Sequence, residues 1–173
     1  MGMMKNDMVS FIGKDEIQEL VSKIAKDIER DFQGQEVVLV GDLKGAMHFM
    51  ADLSRAIELP QMIDFVQLTS KSVYSEEKKG TIRILKDITC DITDKNVILV
   101  EEIIDEGRTL NFLKNRIFAS GPATVRIATL LDKPARRVIN IKPDYIGRTI
   151  EDRYVVGYGM DDREIGRNYG DIY

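Results

Sequence analysis

Cysteine is almost missing from this chain of 173 residues, which contains one cysteine, Cys90. A single cysteine excludes an internal disulfide and argues against a zinc cluster, since both need several sulfur ligands. The thiol is most simply explained as a small apolar side chain in a reducing compartment. We therefore expect a cytoplasmic protein.

Long apolar runs and an excess of basic residues are missing as well. No apolar run approaches the length of a transmembrane helix. The first residues, MGMMKNDMVSFIG, lack the apolar core and cleavage site of a signal peptide. The formal net charge is -4, whereas general nucleic-acid binders usually carry a basic excess. We expect neither a membrane nor a nucleic acid as a partner.

What the chain does contain is suited to a single domain. Hydrophobic residues make up 43% of it and charged residues 31%, which is typical of a globular protein with one core. No repeat, low-complexity tract or linker divides it. We treat residues 1–173 as one domain.

Helical and strand-like patterns alternate along the chain. Apolar residues at helical spacing predict helices over 15–32, 45–57 and about 108–119. Short runs rich in Val, Ile and Leu predict strands over 36–41, 61–70, 80–87, 96–102 and 124–131, with two more short strands at PDYIG and RYVVGYG. Such strands separated by helices indicate an α/β fold with a mostly parallel central sheet flanked by helices. Residues 80–87 are expected to pair antiparallel with 61–70.

The segment VILVEEIIDEGRTL, residues 97–110, carries the most chemistry. A buried strand ends in Glu101 and Glu102, which should point to opposite faces of the sheet. Residues 105–109 then place successive N–H groups at a helix start, where a phosphate is favoured. Carboxylates beside such a cradle suit a ribose phosphate. An equally simple explanation is a solvated helix start, since acidic residues are favoured there by the helix dipole alone.

The same segment resembles the phosphoribosyl-pyrophosphate motif of type I phosphoribosyltransferases. Four other segments are similar to the hypoxanthine-guanine branch of that family: GDLKGAMHFMADL (41–53), IDFVQLTS (63–70), ATLLDKPARR (128–137), and KPDYIG with IEDRYVVGYGMDDREIGRN (142–168). The resemblance implies a hood formed by about 1–15 and 140–173, and a flexible β-hairpin loop near 70–79 that closes over the site. It also implies a homodimer or homotetramer.

The resemblance implies a purine salvage enzyme that joins hypoxanthine or guanine to phosphoribosyl pyrophosphate, with Mg²⁺ as cofactor. Asp105 would act as general base near the purine N7. Glu101 and Glu102 would hold the ribose hydroxyls and, together with Asp161, Mg²⁺. The remaining substrate contacts would come from the pyrophosphate loop (Lys44 and Gly45, where the family often has a cis peptide), the 5′-phosphate cradle (Glu106, Gly107, Arg108 and Thr109), the base site (Lys133, Tyr154 and Val155) and Arg167.

Several residues depart from the family pattern. Glu102 stands where the family usually has Asp, and Glu106 where it has Thr; the flexible loop reads Ser70-Lys71, and Arg148 replaces an apolar residue. At about 4 Å, two unit charges repel by about 4 kcal/mol at an effective dielectric of 20. Glu106 must therefore turn to solvent, pair with Arg108 or another cation, or exclude the phosphate.

These departures leave a second function open. The chain is either a working transferase or a weak or inactive protein of this fold that binds a nucleotide or a partner in a regulatory role. A nucleic-acid-binding regulator would need a basic face, which the composition does not favour.

Overall fold

The computed structural model describes residues 8–69 and 82–173, which contain three α-helices and six strands. In chain order the elements are α1 (Lys14–Asp31), β1 (Val37–Leu43), α2 (Met47–Ala56), β2 (Gln61–Thr69), β3 (Arg83–Lys86), β4 (Asn96–Ile104), α3 (Arg108–Phe118), β5 (Thr124–Asp132), a short 3₁₀ helix (Pro134–Arg136) and β6 (Tyr145–Thr149).

The six strands form one sheet in the order β3-β2-β1-β4-β5-β6. Every pairing is parallel except that of β2 with β3, which is antiparallel. The predicted α/β class, the parallel sheet and the antiparallel β3 are confirmed. The predicted flexible loop lies outside the described residues, as do Ser70 and Lys71.

Two apolar clusters cover the two faces of the sheet. Along β4, Ile98 and Val100 pack into the cluster that holds α1 and α2. Val97 and Leu99 alternate with them and pack into the cluster that holds α3. A strand buried on both faces must be apolar at every position, which explains the continuous run that precedes Glu101.

Helix α1 forms where the apolar spacing predicts it. Ile17, Val21, Ile24 and Ile28 fall on one face and are buried, and acidic residues occupy its first turn, where the helix dipole favours them. Among the described helices, none combines the length and the hydrophobicity needed to cross a lipid bilayer.

One predicted strand is wrong. The segment RYVVGYG, residues 153–159, is irregular apart from an isolated bridge between Gly157 and Met160. Gly157, Tyr158 and Gly159 all have positive φ, so the chain turns there and cannot remain extended. Val156 instead exchanges two main-chain hydrogen bonds with Tyr173. The division of the chain into a body and a hood stays a prediction.

Asp64 on β2 is a buried carboxylate that the sequence reading missed. It is 8% exposed and accepts hydrogen bonds from the main-chain N–H groups of Thr89 (2.6 Å) and Cys90 (3.0 Å) and from the Lys86 ammonium (3.0 Å). Burial by itself would raise the pKa of Asp64, but these donors together hold it well below its ordinary value. The carboxylate thus fixes the chain that leads from β3 to β4.

We expect Asp64→Ala to lower the free energy of unfolding by about 3 kcal/mol at pH 7, because several donors lose a buried acceptor. The folded pKa lies below the ordinary value of 3.8, so the contribution is complete above that value and is lost as the pH falls below it. Urea denaturation should therefore show the two proteins converging in acid. Asp91→Ala, which removes an exposed carboxylate that caps only Thr93, should have a much smaller effect; equal losses would contradict the assignment.

Candidate active site at the carboxyl edge of the sheet

A cleft of about 690 Å³ opens where β1 and β4 end. Its wall consists of residues 101 and 103–110, with Asp42, Ile82 and Arg136. In open parallel sheets, ligands bind beyond the carboxyl ends of the strands. The VILVEEIIDEGRTL segment therefore supplies most of this cleft.

The loop before α3 has the geometry of an anion cradle. Gly107 precedes the helix with φ 83°, and no described side chain caps the helix start. A Cβ on this glycine would lie 2.7 Å from the Ile141 side chain, so only glycine fits. The first N–H groups of a helix have no partner within the helix, and here the residues that carry them, Arg108, Thr109 and Leu110, line the cleft. The loop is therefore suited to bind a phosphate.

Glu106 does not occupy the cradle. Its carboxylate pairs with Arg108 at 2.9 Å, and both side chains are about half exposed. Its carbonyl accepts hydrogen bonds from Val138 and Ile139, which fixes the backbone while the side chain lies at the rim. Of the alternatives for this glutamate, pairing with Arg108 is confirmed.

Asp105 is held at two points. Arg137 donates a hydrogen bond to its carbonyl at 3.0 Å. The Nε of Arg136 lies 3.1 Å from its Oδ1, but this is a charge contact only, because that buried oxygen accepts no hydrogen bond among the described residues. Asp105 lines the cleft, and these two contacts orient its main chain and its side chain there.

Glu101 and Glu102 point to opposite faces, as predicted. Glu101 is 8% exposed and lines the cleft; burial raises its pKa well above 4.5, and the charges of Glu102 and Asp42 add to this. Glu102 lies against Gly45, where a Cβ would be 1.8 Å from its Oε1. Burial raises the pKa of Glu102 to about 7.

Asp42 is a cleft carboxylate that the sequence reading missed. It lies near the carboxyl end of β1 and lines the cleft together with Glu101, and its Oδ1 accepts a hydrogen bond from the Leu68 N–H at 3.1 Å. Burial raises the pKa of Asp42 to about 6. The sequence feature that could have identified Asp42 is an acidic residue near the end of the buried strand β1, which neighbours β4.

The Lys44–Gly45 loop is enclosed by two other segments. The Leu43–Lys44 peptide bond is cis, as the resemblance suggested. Glu102 covers Gly45 on one side. Gly159 also lies against this loop, since a Cβ there would sit 2.0 Å from the Gly45 carbonyl oxygen. The loop is therefore set by direct contact with both β4 and the chain after β6.

Lys44 and Arg167 share one carboxylate. Glu164 pairs with Lys44 at 2.9 Å and with Arg167 at 3.5 Å. Arg167 also pairs with Asp161 at 2.7 Å and donates to the Gly159 carbonyl, while its buried Nε has no partner among the described residues. The two cations expected to bind pyrophosphate thus lie together, and Glu164 is a neighbour that the sequence reading missed.

The expected base site lies beside Asp105. Lys133 is 5% exposed, and its Nζ lies 4.0 Å from Asp152. Tyr154 is 65% exposed, with its hydroxyl donating to the Asp161 carbonyl at 3.2 Å, whereas Val155 is 7% exposed. Tyr154 therefore has a ring face open for stacking, while Val155 offers only main-chain groups.

The comparison with protein families decides the identity of the fold. The model of the phosphoribosyl transferase domain matches residues 13–163. The chain belongs to the phosphoribosyltransferase family. A hypoxanthine-guanine phosphoribosyltransferase of Streptococcus pneumoniae (strain ATCC BAA-255 / R6) is 40% identical over 167 residues, which cover 96% of this chain and 92% of that protein. One of Staphylococcus aureus (strain Mu50 / ATCC 700699) is 36% identical and covers 95% and 92%.

Solved phosphoribosyltransferase structures agree. A hypoxanthine-guanine phosphoribosyltransferase of Bacillus anthracis has a TM-score of 0.88 and 44% identity, covering 95% of both chains. A hypoxanthine phosphoribosyltransferase of Staphylococcus aureus has a TM-score of 0.90 and 36% identity, covering 96% of this chain and 91% of that one. The resemblance to the hypoxanthine-guanine branch is confirmed.

The contact between Gly159 and Gly45 is testable. We expect Gly159→Ala to lower the free energy of unfolding by about 2 kcal/mol or more, since the Cβ would strike backbone at a residue with φ 102°. Gly34→Ala is the matched control, because its φ is 74° but nothing lies within 4 Å; it should cost only about 1 kcal/mol. Thermal denaturation of both variants measures the difference, and equal losses would show that the contact is not tight.

Proposed function

We propose that the chain is a cytoplasmic purine salvage enzyme, a hypoxanthine-guanine phosphoribosyltransferase. It transfers the phosphoribosyl group of phosphoribosyl pyrophosphate to a purine and releases pyrophosphate. The observation that carries the proposal is the cleft itself, in which an anion cradle at 105–109 adjoins the buried carboxylate of Glu101. The named relatives support the same reaction. A homodimer or homotetramer stays a prediction.

The contacts with phosphoribosyl pyrophosphate would come from the cleft and from the neighbouring Lys44–Gly45 loop. The N–H groups of 107–109 would hold the 5′-phosphate, with Arg108 at its rim. Glu101 and Glu102 would accept hydrogen bonds from the ribose hydroxyls. Lys44 and Arg167 would receive the pyrophosphate, displacing their contacts with Glu164. Phosphate oxygens suit the Arg fork and the Lys charge.

The base-binding roles belong to the segments after β5. Lys133 would donate to O6 of hypoxanthine or guanine, since among residues 8–69 and 82–173 its buried ammonium has a single ion-pair contact, the distant one with Asp152. Tyr154 would stack on the purine face, and the main chain at Val155 would contact the ring edge. Tyr154 and Val155 precede the turn at 157–159.

The reaction is a displacement at C1′. The purine nitrogen forms a bond to C1′ as the bond from C1′ to pyrophosphate breaks, and the ring proton passes to Asp105. The carboxylate of Asp105 is about half exposed and lines the cleft, which supports this role. Buried carboxylates near the sugar favour the positive charge that develops there.

Mg²⁺ fits the chemistry of the carboxylates, although no three His, Cys, Asp or Glu side chains in residues 8–69 and 82–173 form a group able to hold a metal ion alone. Protein sites commonly bind Mg²⁺ through one or two carboxylates together with substrate phosphates. Glu101, Glu102 and Asp161 would provide such oxygens. When bound, the ion would neutralise charge on the leaving pyrophosphate.

The proposal is tested by incubating the protein with Mg²⁺, phosphoribosyl pyrophosphate and hypoxanthine, guanine or xanthine in turn. Nucleotide and pyrophosphate should form together. A folded protein that forms neither would favour the second function, nucleotide or partner binding without turnover.

Asp105→Ala should reduce kcat by about a hundredfold or more, because the acceptor for the ring proton is removed. Binding of the nucleotide product, measured by calorimetry, should stay detectable, since the cradle amides are unchanged. Normal turnover in this variant would remove Asp105 from the mechanism.

Glu106→Thr should lower KM for phosphoribosyl pyrophosphate by about threefold, a modest gain because the half-exposed carboxylate is already paired with Arg108. Glu36→Thr is the matched control, since Glu36 is an exposed partner of Lys95 far from the cleft. An unchanged or higher KM in the Glu106 variant would show that the carboxylate does not oppose phosphate binding.

A further inference from the structure

The segment that follows β5 is fastened along the phosphate loop. Lys133 donates its N–H to the Ile104 carbonyl at 3.0 Å, and Val138 and Ile139 donate to the Glu106 carbonyl at 3.1 and 3.3 Å. The main chain of 133–139 is therefore tied to the main chain of 104–106 at both ends. Asp105 lies between these ties.

Two consecutive arginines of this segment hold Asp105 differently. Arg137 forms a buried pair with Asp132 and donates to the Asp105 carbonyl, so it fixes the main chain. Arg136 lines the cleft, and its Nε lies 3.1 Å from the Asp105 carboxylate. Arg136 therefore influences the orientation of the Asp105 side chain.

Arg136 also makes a second contact. Its Nη1 lies 3.5 Å from Asp152 Oδ1, and the same oxygen lies 4.0 Å from the Lys133 ammonium. Asp105, Arg136, Asp152 and Lys133 thus form a row of alternating charges, which we call the bridge. It begins at the residue expected near N7 of the purine and ends at the residue expected at O6.

The bridge contributes little to the stability of the fold. The side chains of Arg136, Asp105 and Asp152 are 44%, 46% and 52% exposed, and ion pairs so exposed contribute little to folding. The geometry of the guanidinium explains the arginine at position 136 better. A planar guanidinium can face two carboxylates at once, whereas an ammonium is a point charge.

We propose that Arg136 is a positioning residue, which sets the Asp105 carboxylate and, through Asp152, the Lys133 ammonium at the separation that one purine edge requires. N7 and O6 lie on the same edge of the base, so a proton acceptor and a proton donor must meet them together. This inference rests on the proposed function.

The test is steady-state kinetics on Arg136→Gln, Asp152→Asn and the double variant. Arg136→Gln should lower kcat/KM for the purine about tenfold, as expected for a misplaced catalytic group. KM for phosphoribosyl pyrophosphate should change by less than about twofold, because the cradle amides are untouched. The double variant should be no worse than Arg136→Gln, since both changes break one bridge.

Two further variants separate positioning from structure. Arg126→Gln is the matched control, because Arg126 is an exposed partner of Asp144 near the other end of β5; it should match wild type in kcat/KM. Arg136→Lys should recover part of the loss, since an ammonium can reach only one carboxylate. Melting temperatures of all variants should stay close to wild type.

The outcomes distinguish the inference from the function on which it rests. A wild-type protein that turns over purines while Arg136→Gln does so equally well overturns the positioning role and leaves the proposed function intact. Additive losses in the double variant, or a loss shared equally between both substrates, also overturn it. A wild-type protein without turnover overturns the proposed function first.

Discussion

The parallel pairing of β4 with β1 and β5 is the constraint on which the site depends. This register brings Asp42, Glu101 and Asp132 to one edge from three strands that are far apart in sequence. Because β4 is buried on both faces, its apolar side chains hold it against two cores at once. Glu101 and Glu102, near its carboxyl end, therefore have fixed directions, one into the cleft and one toward the Lys44–Gly45 loop.

Three buried carboxyl groups lie at this edge of the sheet. Burial raises the pKa values of Asp42, Glu101 and Glu102, so each carboxylate is costly to ionise where it stands. Beside the Lys44–Gly45 loop, the Glu164 carboxylate pairs with Lys44 and Arg167, the two cations that a pyrophosphate would contact. A bound cation would stabilise the ionised form of the buried carboxyl groups. A polyanionic substrate would replace Glu164 as the partner of Lys44 and Arg167.

Much of the fold was predictable because its elements are encoded locally. The apolar spacing of α1 and the continuous run in β4 each specify one kind of element. The strand predicted at RYVVGYG was wrong because its β-branched and aromatic residues are typical of a strand, whereas Gly157 and Gly159 adopt positive φ. The segment also pairs with a distant part of the chain. Family resemblance, not periodicity, pointed to Lys133 and Arg167. Asp64, Glu164 and Arg136 escaped notice because each acts through contacts that only the folded chain brings together.

The pairing of residues 11–12 with residue 172 has a consequence for synthesis of the chain. Phe11 and Ile12 both donate to the Ile172 carbonyl, and Gly157 packs against Asp171. A nascent polypeptide that has emerged from the ribosome only as far as residue 165 can assemble its sheet but lacks the partner of its own amino-terminal segment. Contacts separated by so many residues form late, because closing the longest loops is entropically unfavourable. Ribosome-bound chains should accordingly expose the apolar surface near Ile12 until translation has passed this point.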